Sequence, residues 1–420
     1  MKPKILTTLQ DYSLADLLRD SAAGLTVAMV AIPLSLAIAI ASGAPPETGL
    51  VTAIIGGLLI SALGGSRVQI GGPTGAFIVV VFAVIQDHGY DGLVLATLMA
   101  GAILVIAGYL RVGKLVAYVP EAVINGFTIG IGLLIALSQL KDFLGLDLGT
   151  VPAGFFETVS ALWSARETLS PVSVALALGA MVLIIGARRL SPRLPGLIVA
   201  MILASAVVWG LSLDIDTIAS RFGAVSGRLP VPALPEISLD RIVELLPSAL
   251  VIAFLAGVES LLSAIVADRM IGGRHRPAAE LAAQGFANIG SALFGGLPTT
   301  GAIARTATNV QAGGRTPVAG IVHALTILVV TLLAAPLIGY LAMPALAALL
   351  MLTAWNMSEP HKWMGYIRGR KSDLFLVILT FTLTVTVDLT VAIAVGVVAG
   401  LVLRLHRRNV EPEDWTPPKR

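Results

Sequence analysis

Fourteen apolar runs recur along the chain, near residues 21–41, 49–63, 73–86, 91–109, 116–139, 170–187, 195–213, 244–266, 278–295, 299–313, 316–335, 337–353, 373–387 and 389–405, parted by short polar loops. A run of about 20 apolar residues is the length of helix that crosses the roughly 30 Å hydrocarbon layer of a bilayer. The pattern predicts an all-α polytopic membrane protein with 14 transmembrane segments. Only 13% of the residues are charged, about half the share of a soluble domain, so the loops leave no room for a large soluble domain. Residues 1–20 carry Lys2, Lys4, Arg19 and three Asp without a long apolar run. No cleavable secretory signal is read there, and the first span is expected to start insertion itself.

Charge supplies the orientation. With the N-terminus inside, 22 of the 28 Lys and Arg fall in inside segments; five, Lys141, Arg166, Arg221, Arg228 and Arg241, fall outside, and Arg305 lies within a span. Cations concentrate on the cytoplasmic side of membrane proteins, so both termini are expected to be cytoplasmic. The net charge of +3 is scattered over these loops, which argues for membrane topology and against nucleic-acid binding.

Runs 73–86 and 299–313 are too short to cross a bilayer as complete helices. Gly71-Gly72-Pro73-Thr74-Gly75 opens the first, and Gly295-Gly296-Leu297-Pro298-Thr299-Thr300-Gly301 opens the second, about 225 residues and seven spans later. Seven is odd, so the second copy must run through the membrane in the opposite direction, as in a 7+7 inverted repeat. Ala23-Gly24 in span one and Ala256-Gly257 in span eight give a weaker echo. Each Pro is expected in the first turn of a half-helix, with the Gly pair before it extended. Spans 3 and 10 then read as half-helices whose N-termini face each other near the midplane and present free N–H groups to an anion. The hydroxyls of Thr74, Thr299 and Thr300 are expected to add donors.

Two ionisable residues lie at membrane depth, where they are expensive and mark function. Glu259 is central in span eight with Ser263 one turn on, a pair suited to holding a cation or a proton. Arg305 is placed to attract an anion or to neutralise Glu259. Asp388 reads as an outside turn, and Asp268-Arg269 with Arg274-His275-Arg276 as a solvated cytoplasmic loop. Gly126 and Gly130 form a small-residue packing motif for helices, or for protomers.

Other chemistries find no foothold. Cysteine is absent, which excludes disulfides and thiolate sites, and the five His are dispersed with no zinc-site spacing. Gly108 to Lys114 imitates a phosphate loop, but Leu115 replaces the Ser or Thr and no strand precedes it. No paired Asp, Ser–Lys or metal-ligand constellation falls at membrane depth. The chain is therefore read as not an enzyme, with no cofactor.

These residues resemble the sulfate permease family, also called solute carrier family 26. The likeness rests on Ala23 to Val27 with Ile32-Pro33, Gly49-Leu50, Gly71 to Gly75, Tyr118 to Thr128 and Glu259 to Leu262. Ala302 to Asn309 and Ala354 to Lys362 are similar to its C4-dicarboxylate-carrying bacterial branch. The resemblance implies UraA-like core (21–110 and 241–335) and gate (111–240 and 336–406) domains between a cytoplasmic segment 1–20 and a tail 407–420, in a bacterial inner membrane, with a homodimer expected. The family's anion contacts map onto Thr74, Gly75, Thr300, Gly301, Ala302 and Ala304, with Arg305 as its electropositive residue and Glu259 as the coupling position. Leu34 and Ile38 stand where many members have Gln and an aromatic, which makes the pocket less polar. The family's STAS domain is not read in these residues, and Glu411 to Trp415 looks like a linker toward one. The expected activity is proton-coupled symport of a C4-dicarboxylate such as fumarate or succinate. The alternatives are Na⁺-coupled bicarbonate or sulfate transport, and an anion channel or voltage-responsive motor.

Since the chain has no native Cys, single replacements report topology directly. Arg274→Cys should react with an impermeant thiol reagent only from the cytoplasmic side and Arg228→Cys only from the other; reaction of both from one side would overturn the orientation.

Overall fold

The computed structural model describes residues 2–10, 12–113, 120–149, 151–152, 154–190, 196–387 and 389–406. Asp388, the start of the fifth run including Tyr118, and the Glu411 to Trp415 segment lie outside the described residues.

Lipid offers the backbone no hydrogen-bond partners, so apolar runs must close their bonds internally as helices. Short α1 (Ile5–Thr8) precedes α2 (Leu14–Ala41), which opens with a capping box between Ser13 and Asp16. α3 (Pro46–Val51) passes through a widened turn at Thr52–Gly56 into α4 (Gly57–Leu63). The chain then forms β1 (Gly71–Gly72), a tight turn at Gly75–Phe77, and α5 (Ile78–Tyr109). At Gly89, with φ 70° and ψ 179°, α5 leaves helical geometry, so it contains both the third and the fourth apolar run.

α6 (Glu121–Leu144) stops at left-handed Gly145, φ 62°. There follow α7 (Phe155–Ser164), α8 (Pro171–Leu190), α9 (Gly196–Gly210), α10 (Ile218–Phe222), α11 (Leu239–Ile271) and α12 (Pro277–Leu293). The second strand β2 (Thr300–Gly301) leads into α13 (Ile303–Gln311). The chain closes with α14 (Val318–Ile338), α15 (Met343–Met357), α16 (Pro360–Arg368), α17 (Lys371–Thr386) and α18 (Leu389–His406). Each apolar run thus has a helical counterpart. Among the described residues, six helical stretches are long and apolar enough to cross a membrane on their own, and three shorter apolar helices accompany them.

The helices pack in two groups. α2 lies on α14, α12 on α5 and α4, and α11 on α5 and α13; separately, α6 lies on α15 and α17, and α8 on α9 and α15. Small residues set the spacing, as expected where lipid supplies no hydrophobic drive. A methyl on Gly101 of α5 would fall 2.8 Å from the Gly285 carbonyl oxygen of α12, and one on Gly285 would fall 2.6 Å from that of Gly101. Gly126 and Gly130 meet Thr380 and Thr384 of α17. That motif therefore joins two helices of one chain, and nothing of it is left over for a protomer contact.

Two buried carboxylates tie loops to helices within the first group. Asp20 accepts from the Arg315 N–H (2.8 Å), the Thr316 N–H (3.3 Å), the Tyr12 hydroxyl (3.1 Å) and the Thr316 hydroxyl. Glu280, fully buried, accepts from the Gly65 and Ser66 N–H groups (2.8 and 3.0 Å), Ser260 Oγ (3.1 Å) and Gln284 Nε2 (2.8 Å). The loop expected to be merely solvated is also engaged: Asp268 accepts from the His275 N–H at 2.7 Å, and Arg276 donates to the Lys2 carbonyl at 2.8 Å. The amino-terminal segment answers in kind, with Lys4 Nζ donating to the Arg274 carbonyl at 3.0 Å.

Glu280→Ala should destabilise the protein by on the order of 3 kcal/mol for the orphaned loop N–H groups, read as a lower thermal unfolding midpoint in detergent; an unchanged midpoint would refute the tie. Outside the membrane, Arg221 donates to Asp142 (2.7 Å) and Asp216 (2.8 Å). That hydrogen bond holds the Asp216 carboxyl below the ordinary 3.8, against burial, which works the other way. A lowered carboxyl stabilises above its unfolded value and stops doing so as pH falls. Proteolytic nicking of the 213–223 loop should therefore rise as pH drops below about 4, and Asp216→Asn should remove that component of the pH dependence.

Candidate anion site

The two broken helices meet through their strands. β1 and β2 pair antiparallel, Gly71 opposite Gly301 and Gly72 opposite Thr300, and the Ala302 N–H donates to the Ile70 carbonyl at 2.9 Å. Because the strands are antiparallel, the helix after each leaves in the opposite direction. Sequence reasoning placed the extended segments at both Gly pairs and the two Pro in first turns. Gly71–Gly72 is indeed extended, but Gly295 turns with φ 67°, and the second strand falls at Thr300–Gly301. Pro73 sits between strand and helix, and Pro298 before its strand. Without an N–H, Pro suits the margin of a ladder better than its interior. α13 has 9 residues, about 13 Å of helix, and so reaches across only part of a bilayer.

The ribbon is gripped from behind by a polar stripe on α12. Gln284 and Asn288 follow Glu280 at helical spacing. The Asn288 amide accepts from the Thr299 N–H (3.0 Å) and donates to the Thr299 carbonyl (2.8 Å), serving the strand as a neighbouring backbone would. Gln69 donates to Ser260 Oγ at 2.9 Å, and its amide lies where a side chain on Gly301 would be. Thr52, in the widened turn, accepts the Leu297 N–H at 2.7 Å. Sequence analysis passed over Gln69, Asn288 and Ser35, although polar residues at positions 280, 284 and 288 of an apolar run were a readable signal.

Two of the three expected hydroxyl donors are spent on neighbours, and the third, Thr299 Oγ1, is buried without a partner. Thr74 donates to Glu259 Oε2 at 2.9 Å, Thr300 donates to the Ala256 carbonyl at 2.8 Å, and buried Thr299 lies against Gly56. What is left toward an anion is the backbone N–H groups of the first turns at Gly75 and at Ile303 to Arg305. Ala304 is exposed and Glu259 partly so, which marks the open side. Gly75 faces the other helix group: a methyl there would meet Met357 Sδ of α15 at 2.7 Å and Ile135 of α6 at 3.7 Å. From α2, Leu34 is partly buried and Ile38 fully so. Ala302 is buried as the residue capping α13.

Arg305 and Ser263 do not pair with Glu259. Ser263 donates to Thr306 Oγ1 at 3.2 Å. Arg305 lies in the first turn of α13, not two turns in, because the helix starts at Ile303. Its guanidinium, 1% exposed, turns behind the ribbon and donates from Nη2 to Ser35 Oγ of α2 at 3.2 Å. Nη1 lies 2.0 Å from where a methyl on Gly72 would be. The site therefore has its cation behind the helix starts and its carboxylate in front.

Among the described residues no group of three or more His, Cys, Asp or Glu gathers as metal ligands. Opposed half-helices on a paired ribbon, within an apolar bundle, define a carrier of small anions. The sequence profile of the sulfate permease family matches residues 17–380, and the chain belongs to that family, whose members are transporters and not enzymes. A putative sulfate transporter of Bacillus subtilis, YvdB, is 42% identical over 373 residues, 89% of this chain and 70% of its own length. The bicarbonate transporter BicA of Picosynechococcus is 33% identical over 79% of this chain and 60% of its own length. The solved transmembrane domain of a cyanobacterial BicA superposes with a TM-score of 0.80 at 31% identity, covering 93% of this chain and 98% of that one.

Gly72→Ala and Gly301→Ala should each abolish anion binding while leaving membrane insertion intact, since the new methyls fall 2.0 Å from Arg305 Nη1 and 1.6 Å from Gln69 Nε2. Retained anion-induced thermal stabilisation in both would show that the ribbon does not form the site.

Proposed function

We propose that the chain is a secondary active carrier that takes a small anion inward by alternating access, together with a proton held at Glu259. The observation that carries this reading is the antiparallel ribbon, which brings two helix N-termini to one place with Arg305 behind them and Glu259, held by Thr74, on the open side. Fixed N–H groups and a buried guanidinium favour an anion. A carboxylate beside them is unfavourable while charged, so its protonation and anion binding assist each other.

In this reading the fourteen spans form a 7+7 inverted repeat. Spans 1–4 and 8–11 are the core domain that carries the anion past a gate of spans 5–7 and 12–14, with Gly75 sliding against Met357 and Ile135. Both termini are cytoplasmic and the chain works as a homodimer in the bacterial cell membrane.

The leading substrate is a C4-dicarboxylate such as fumarate or succinate, supported by the Ala302 to Asn309 and Ala354 to Lys362 stretches and by the apolar Leu34 and Ile38. The names of the relatives favour a second reading, Na⁺-coupled transport of bicarbonate or sulfate, with Glu259 and Thr74 as the cation's oxygen ligands.

Uptake into proteoliposomes decides between them. Labelled fumarate should accumulate with an inward proton gradient and be indifferent to sodium. Accumulation of sulfate or bicarbonate driven by sodium would establish the second reading, and currents without matching flux would replace both with a channel. Glu259→Gln should lose gradient-driven accumulation while keeping part of the substrate-induced thermal stabilisation; undiminished accumulation would remove Glu259 from coupling.

A further inference from the structure

His323 lies in the second turn of α14, fully buried, with hydrogen-bond partners on neither ring nitrogen. A buried imidazole without partners forfeits the hydration of both a donor and an acceptor, a cost that a residue filling space would not incur. Its surroundings show where it reaches. A methyl on Gly57 would lie 3.6 Å from His323 Nδ1 and Cε1 and 3.2 Å from the Gly71 carbonyl oxygen. The ring is therefore inserted behind β1, at the residue next to Gly72, where the Arg305 guanidinium is lodged. Arg305 has the matching deficit: Nη2 reaches Ser35, whereas Nε and Nη1 are buried without partners.

The geometry points to His323 as the positioning residue for Arg305. A guanidinium has N–H groups to give and no acceptor, and a neutral imidazole has one nitrogen that only accepts. No direct hydrogen bond joins them, so the two complement each other through one internal water, and a second cation beside Arg305 would be repelled. Ser35 from α2 and His323 from α14 then hold the guanidinium from two sides behind the Gly71–Gly72 strand. The positive charge is fixed there without touching the anion.

This inference rests on the reading of Arg305 as the positive charge of the anion site. The test uses purified protein in detergent and in proteoliposomes, with labelled sulfate, bicarbonate and fumarate as probes. His323→Leu should raise the half-saturating anion concentration about tenfold with little change in maximal rate, as expected for losing one hydrogen bond to a charged group. His323→Asn, which keeps an acceptor, should restore most of the affinity. In an Arg305→Gln background, His323→Leu should add nothing. Equal impairment in the Leu and Asn variants, or additive effects with Arg305→Gln, would reduce His323 to a packing role. Should Arg305→Gln lose anion affinity while His323→Leu behaves as wild type, this inference alone fails. Should Arg305→Gln bind anions normally, the reading of Arg305 fails and the inference with it. Size-exclusion profiles and yields separate misfolded variants from functional ones, and the Asn variant carries the test if the Leu variant does not fold.

Discussion

The structure depends on four residues of antiparallel ladder. Gly71, Gly72, Thr300 and Gly301 interrupt two helices deep in an apolar bundle, where an unpaired backbone group costs several kcal/mol. Pairing the two interruptions with each other removes most of that cost. It also forces the geometry that follows: the helices run in opposite directions, and their first-turn N–H groups come to lie on either side of one small region. A single broken helix has no such partner, so the duplication and the site are the same physical solution.

Three side chains beside the ribbon complete its backbone hydrogen bonds. Asn288 replaces a missing third strand for Thr299, Thr52 takes the Leu297 N–H, and Thr306 Oγ1 takes that of Ile70 at 3.1 Å. Glu280 and Asp20 do the same for the loops at Gly65–Ser66 and Arg315–Thr316. Polar side chains in this bundle are mostly consumed in satisfying backbone, which leaves few free groups facing an anion. That scarcity separates Glu259 from the others: it is partly exposed and takes a single side-chain bond, from Thr74.

Glycine makes the close approaches possible, and the same residues set how the helix groups meet. Gly101 with Gly285 lets α5 and α12 touch backbone to backbone, while Gly126 and Gly130 seat α6 on the threonines of α17. Contacts inside each group are thus built from small residues and carbonyls. Between Gly75 and α15 the contact is with flexible Met357, a side chain that repacks easily.

Much of this was legible in the sequence, and for a common reason. Apolar runs, loop cations and paired Gly-Pro interruptions are local in the chain, and the bilayer translates them directly into helices and breaks. The likeness of the two interruptions pointed to two helix starts, and the antiparallel ribbon gives them opposite senses. The expected strand at Gly295–Gly296 and the expected first-turn prolines were misplaced, because ladder register is decided by which N–H and C=O groups find partners across the molecule. The same holds for the side chains: Thr74, Thr299 and Thr300 looked alike as donors, yet their hydroxyls face Glu259, Gly56 and the Ala256 carbonyl. The sequence by itself determined that Glu259 and Arg305 lie at depth near two helix starts. Only the tertiary structure decided that Arg305 stands behind the ribbon with Ser35 and His323 while Glu259 stands before it, since direction depends on contacts between residues hundreds of positions apart.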